Sequence, residues 1–199
     1  IMKKSLLRIF SCMLAVMMMT TGMAFAKKSL EERKAEIHEK VESTLEKLYE
    51  REPAAERIID MAPGYAVFVN TGSQFGLFGS AHGRGIAFNS VSGEETYMKM
   101  GEYKLGLGIG IKEYALIFVF GTEEAADNFA NSGWKFSGDV AASATDGEAG
   151  GAIENAVHVG DNIWMYQMTT KGLSVELNLR GTEYYRDKSY YPEEKEDKD

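Results

Sequence analysis

Between Tyr103 and Phe120 two kinds of strand lie end to end, and only a sheet can absorb them. Leu105, Leu107, Ile109 and Ile111 alternate with Gly106, Gly108 and Gly110, so one face is aliphatic and the other is bare backbone over three pleats. After a polar break at Lys112-Glu113, the run from Ala115 through Leu116, Ile117, Phe118, Val119 and Phe120 is apolar on both parities. A strand covered on both faces reads this way. Glycine weakens a strand, so Gly106, Gly108 and Gly110 predict a sharp bend or a close approach. This pattern is construction and not chemistry.

The N-terminus reads as an address. Lys3, Lys4 and Arg8 precede a methionine-rich apolar run from Ile9 to Met19, and Ala24-Phe25-Ala26 supplies small residues around a cleavage point. The expectation is a secretory signal peptide over residues 1–26, cut after Ala26, and too short for a confident membrane span. The single cysteine, Cys12, lies inside it, so the expected mature chain has no disulfide and no thiol chemistry. Lipidation at Cys12 is the lesser reading, because the apolar run follows that cysteine instead of preceding it. Taking the leader's three cations from the net charge of −8 leaves −11 on the remainder, which disfavours nucleic acid as a partner.

Downstream the periodicities change in order. Ser29 and Glu32 form a capping box, and Leu30, Ile37, Val41, Leu45 and Leu48 make one apolar stripe on a helix to about Glu50. Pro53 opens a shorter helix expected to bury Ile58, Ile59 and Met61 before Pro63 stops it. Strands are expected at Ala66–Val69, as a bent glycine-rich pair over Phe75–Phe88, and at Glu95–Met100. Thr122 caps a short helix with Ala125, Ala126, Phe129 and Ala130 facing inward. Trp134–Ala144 reads as strand and Thr145–Gly151 as a loop; Asn155–Val159, Ile163–Met168 and Leu173–Leu179 read as an antiparallel meander. Tyr184-Tyr185 would close the sheet, and the charged run from Pro192 to Asp199 is expected to be disordered.

Motifs for chemistry are scarce. Gly106-x-Gly108 runs on to Ile111 where a dinucleotide fingerprint needs glycine, and Gly83-Arg84-Gly85 fails the same test at Phe88. His38, His82 and His158 lack metal-ligand spacing, and Asp139, Asp146 and Glu148 read better as solvated loop carboxylates than as a cation site. There is no Gly-x-Ser-x-Gly elbow. The reading is therefore no enzyme, no metal and no cofactor.

The run Pro53, Ala54 and Ala62-Pro63-Gly64-Tyr65-Ala66-Val67-Phe68 is similar to the opening of the SYLF domain family. Gly76, Gly79, Gly83 and Gly85 match that family's glycine-rich segment, and Gly106–Lys112 with Leu116–Phe120 resembles its strand pair. Ala125-Ala126-Asp127-Asn128-Phe129 stands where the family has a short helix, and Gly172-Leu173 through Gly181 resembles its closing strands. The resemblance covers Pro53 to Tyr185.

That resemblance implies a lipid-binding, non-enzymatic module. Eukaryotic members bind phosphoinositides and associate with cortical actin, whereas secreted bacterial members are regarded as envelope proteins with affinity for phospholipid. Membrane contact in the family is ascribed to an amphipathic segment with basic residues, which maps here onto Lys27, Lys28, Arg33 and Lys34 beside Leu30 and Ile37. His82 beside Arg84 is a further candidate for an anionic headgroup. The chain departs from the family in charge: Lys27–Glu50 carries six basic residues against seven acidic ones, so electrostatic attraction nearly cancels there. The implied structural glycines are Gly64, Gly83, Gly85, Gly106, Gly108 and Gly110.

The expected fold is α+β: a strongly curled antiparallel sheet or small β-barrel, fronted by an N-terminal amphipathic helix and one or two short helices. The expected boundaries are a signal peptide at 1–26, the helix at 27–52, a SYLF-like domain at 53–188 and a charged tail at 189–199. The expected function is a phospholipid-binding protein of the periplasm or cell envelope. A structural module with an envelope protein partner is the alternative. An outer-membrane barrel fits the helical start and acidic end less well.

Overall fold

A computed structural model describes residues 28–136, 153, 155–169, 172–174 and 181–192; for residues 74, 76, 104–112 and 172–174 the description is of backbone alone. The chain divides into two compact units, residues 1–33 and 34–199. Of the first unit the described part is a helix start, where Ser29 N–H donates to Glu32 Oε2 at 2.7 Å and Glu32 N–H donates to Ser29 Oγ at 3.1 Å. This is the reciprocal capping box that the spacing predicts. The backbone N–H and hydroxyl of Ser29 hold the Glu32 carboxyl below its ordinary value.

The second unit is α+β. Helix α1 (Leu30–Arg51) enters it at Lys34, and α2 (Pro53–Met61) follows, with proline at its first position where no N–H is needed. Along α1, Ile37, Val41, Thr44 and Leu48 are buried, so the stripe faces the interior. In α2, Ala55 and Ile59 are buried and Ile58 is half-buried, while Met61 is 78% exposed, contrary to the expected burial. Met61 is the last helical residue, and the chain turns away at Pro63 before its side chain is covered.

Two strands of 26 residues carry the sheet: β1 (Gly64–Asn89) and β2 (Glu95–Phe120), joined by a tight turn and paired antiparallel from Gly64↔Phe120 to Phe88↔Glu95. Separate strands with a bent pair between them were the expectation. Instead each run is continuous, because every turn-forming residue of one strand meets a ladder partner on the other. Asn70 pairs Tyr114, Thr71 pairs Glu113 and Gly72 pairs Lys112. A bulge interrupts the ladder between Gly76 and Phe78, where the register steps from Gly76↔Gly108 to Phe78↔Leu105.

On its other edge β2 is shared by two strands. β7 (Thr182–Arg186) pairs Met98–Glu102, and β5 (Ile163–Thr169) pairs Tyr114–Phe120. β3 (Trp134–Lys135) lies beside β7, while β4 (Val157–Gly160) and β6 (Gly172–Ser174) both lie against β5, all antiparallel. The meander is thus present at β4–β5–β6. Residues 137–144 of the expected strand, the 145–151 loop and residues 175–180 lie outside the described residues. Helix α3 (Glu123–Ser132) is capped as expected, with Ala125 N–H donating to Thr122 Oγ1 at 3.2 Å.

The sheet curls until β1 meets itself. A Cβ on Gly85 would stand 2.2 Å from the Val67 carbonyl oxygen, and one on Gly83 would stand 1.6 Å from Asn70 Oδ1. One on Gly64 would stand 2.7 Å from the Phe88 carbonyl oxygen, beside which the Tyr65 and Phe88 rings stack at 4.6 Å. The two halves of a single strand therefore face each other, and glycine is what lets their backbones approach. Between them and α3 sits an aromatic core of Phe68, Phe118, Phe120, Phe129, Trp134 and Tyr184. Leu116 through Phe120 are buried on both parities, as their composition requires. The packed structure runs past the expected boundary at 188: Lys188–Tyr190 form a 3-10 turn, and the buried Tyr190 stacks on Tyr97 at 4.6 Å.

Candidate membrane-facing surface

Strand alternation sorts the β1–β2–β7 sheet into two faces. Ala81, Ala87, Met98, Met100 and Tyr184 point into the core. The opposite parity forms rows across the strands, and these rows change in character along the ribbon. In the first, Ile86 pairs Tyr97 and both are buried; the Lys34 ammonium lies 5.8 Å over the Tyr97 ring and Tyr190 stacks on it. Next, Arg84, Lys99 and Tyr185 stand side by side on the three strands. Then come His82, Gly101 and Glu183, with Glu183 paired to Lys135 at 2.8 Å. Ser80 with Tyr103 and Phe78 with Leu105 complete the series.

Like charges directly opposite on neighbouring strands repel, so Arg84 across from Lys99 needs compensation. Asp187, fully buried just beyond β7, provides it. Lys99 Nζ lies 2.9 Å from Asp187 Oδ1, and Arg84 Nε lies 4.0 Å from Oδ2. Burial pushes this carboxyl up, but hydrogen bonds from the Ser189 hydroxyl, the Lys99 ammonium and the Ser189 N–H outweigh it and hold it below its ordinary 3.8. One carboxylate thus anchors two cations and leaves the row with positive charge in an acidic chain. Because the folded value is depressed, this contribution is present above pH 3.8 and is lost as pH falls through the depressed value. Asp187→Asn is expected to cost about 1–2 kcal/mol near neutrality, screened because both cations are partly exposed. Thermal unfolding across pH checks this: the gap between variant and parent should close in acid.

Beyond Ser80 the ribbon leaves the core. Phe75 is 84% exposed, Leu77 59%, Phe78 71% and Tyr103 81%. Phe75 and Leu77 share one parity and Phe78 the other, so both faces of the ribbon present apolar side chains to solvent. From Arg84 to Ser80, beside Tyr103, is four residues, about 13 Å along the strand. Where the ribbon departs, Tyr114 donates to the buried Glu102 at 2.7 Å. Burial, reinforced by the Glu102 charge and that hydrogen bond, drives the Tyr114 phenol far above its ordinary 10.0.

Of the residues singled out in the sequence, His82 and Arg84 fall on this face. Lys27 lies outside the described residues; Lys28 is exposed, and Leu30, Arg33 and Lys34 are half-buried. Ile37 is 5% exposed and packs inward in this conformation. Gly64, Gly83 and Gly85 are close-approach positions, whereas for Gly106, Gly108 and Gly110 only the strand backbone is described. The exposed aromatics are not singled out by the sequence, which shows only a bent glycine-rich pair over Phe75–Phe88; whether another layer covers Phe75 and Phe78 is a tertiary matter. His38 meets Tyr97 Oη and Glu95, and His158 packs on Trp164, so the three histidines occupy separate settings. Among the described residues no cluster of three or more His, Cys, Asp or Glu could hold a metal, and no helix is long and apolar enough to cross a membrane.

The described residues thus form a curled antiparallel sheet that carries an exposed apolar ribbon beside a cationic row. Residues 101–191 match the Ysc84 family, described as "Las17-binding protein actin regulator", which is the SYLF domain family that the sequence resembles. It is also 32% identical over 161 residues to Beta cell expansion factor A of Aeromonas veronii, an alignment covering 81% of this chain. The chain spans 60% of the length of that relative.

Proposed function

We infer that this is an exported, non-enzymatic protein of the bacterial cell envelope that binds phospholipid surfaces through the β1–β2 ribbon. The observation carrying the reading is the exposed set Phe75, Leu77, Phe78 and Tyr103 adjoining Arg84, Lys99 and His82 on one strand pair. Apolar side chains enter the acyl region, Tyr103 and Tyr185 sit at the boundary, and Arg84 reaches headgroup phosphates. An actin-directed role, as in the family's description, would need a cytosolic partner that the expected leader at residues 1–26 would deny it.

Co-sedimentation with vesicles tests the reading. The purified chain should pellet with anionic vesicles at low salt, and more weakly with zwitterionic ones. Arg84→Gln should weaken binding to anionic vesicles by about 1 kcal/mol, or about fivefold, with no effect on zwitterionic vesicles. Absence of binding to either vesicle would remove the proposal. A stable soluble oligomer with no lipid affinity would favour the protein-interaction alternative.

A further inference from the structure

His82 stands midway along the membrane-facing strip. It is exposed, two residues along β1 from Arg84 in the cationic row and two from Ser80, which pairs Tyr103 at the foot of the apolar ribbon. At about 3.4 Å per residue, its backbone lies about 7 Å from each of these rows. A surface that takes Phe75 and Phe78 into hydrocarbon and Arg84 among phosphates therefore carries His82 to headgroup depth.

Histidine is the side chain whose charge changes between about pH 5 and about pH 8. What that change does depends on the charges around it. Directly across on β2 is Gly101, where even a Cβ would meet nothing within 4 Å, and diagonally across stand Lys99 and Tyr103. Beyond Gly101 on β7 lies Glu183, about 10 Å away at two strand spacings. Lys135 of β3 holds that carboxylate at 2.8 Å. Arg84 and Lys99 share the buried Asp187, which is held below its ordinary 3.8 and so stays an anion across the histidine range. Lys188, exposed in the turn after β7, is a further cation. Glu183 and Asp187 are thus both answered by cations already in place. A proton gained by His82 adds positive charge where the face meets headgroups.

We propose that His82 makes this surface pH-responsive, its protonation tightening the hold on anionic phospholipid as pH falls. The inference rests on the membrane reading above and adds a regulator to it. An anionic surface favours the charged imidazole, so binding and proton uptake reinforce each other. One added charge at such a surface corresponds to about a fivefold gain in affinity.

Co-sedimentation at about pH 8 and about pH 5.5, at fixed salt, tests this with phosphatidylglycerol and phosphatidylcholine vesicles. The parent should bind phosphatidylglycerol about fivefold more tightly at the lower pH, with no such change on phosphatidylcholine. His82→Gln should bind at both values as the parent does at the higher one. His82→Arg should bind at both as the parent does at the lower one. His158→Gln, on β4, controls for the charge of the chain as a whole and should keep the response. Thermal unfolding of each variant beside the parent confirms the fold. A response that survives in His82→Gln, that is lost equally in His158→Gln, or that appears equally on phosphatidylcholine would overturn the proposal. So would a parent that binds phosphatidylglycerol without regard to pH; the membrane reading would stand in every one of these cases. No binding to either vesicle at either pH would remove both.

Discussion

Replacing Phe75 and Phe78 with serine is expected to abolish vesicle binding while leaving the fold intact. Moving one phenylalanine side chain out of water is worth about 1.5–3 kcal/mol, so losing both removes about 3–6 kcal/mol. That corresponds to a loss of at least about a hundredfold in affinity. The fold should not notice, because these side chains are 84% and 71% exposed and sit outside the aromatic core. Two measurements check it: co-sedimentation of the double variant, and its thermal unfolding beside the parent. Unchanged binding would detach the ribbon from the function, whatever else the face does. Tyr185→Ser is a milder companion, since that ring is 47% exposed and belongs to the cationic row.

The second large effect is on stability. Gly85→Ala places a methyl group 2.2 Å from the Val67 carbonyl oxygen and 2.6 Å from the Phe68 ring. A flexible side chain could swing away, but a strand carbonyl is fixed in its ladder and Phe68 is packed edge-on against Tyr184 at 4.8 Å. The two halves of β1 must separate, and the aromatic core must follow. Overpacking of this kind costs about 3 kcal/mol, at the upper end of the usual range. For a domain of this size that is a fall of about 6–12 °C in Tm. Gly101→Ala is the control, because a Cβ there meets nothing within 4 Å and the backbone is ordinary strand. A Gly85→Ala variant as stable as Gly101→Ala would mean that β1 does not fold back on itself.

Much of the architecture was legible from periodicity. The capping box at Ser29 and Glu32, the stripe of α1, the proline-led α2, the Thr122 cap and the doubly covered Leu116–Phe120 run are local patterns, and local patterns depend on neighbours a few residues away. Strand length was not legible in the same way. Asn70, Thr71, Gly72 and Ser73 fall between the strands expected at Ala66–Val69 and Phe75–Phe88, yet they are extended because β2 supplies a ladder partner to each. Their chemistry permits either state, and pairing decides.

The candidate site shows the same division. Arg84 and His82 stood out as basic residues beside glycine, but nothing in their spacing said that Lys99 and Tyr185 would complete their row or that Asp187 would anchor it. Those residues come from three strands and a C-terminal turn, and only the sheet's register brings them together. By itself the amino-acid order determined the helices and their caps, the doubly covered Leu116–Phe120 strand and the acidic balance. The tertiary structure decided where the sheet folds over and where it runs out. An apolar side chain is core or surface according to whether another layer covers it, and no residue carries that information alone.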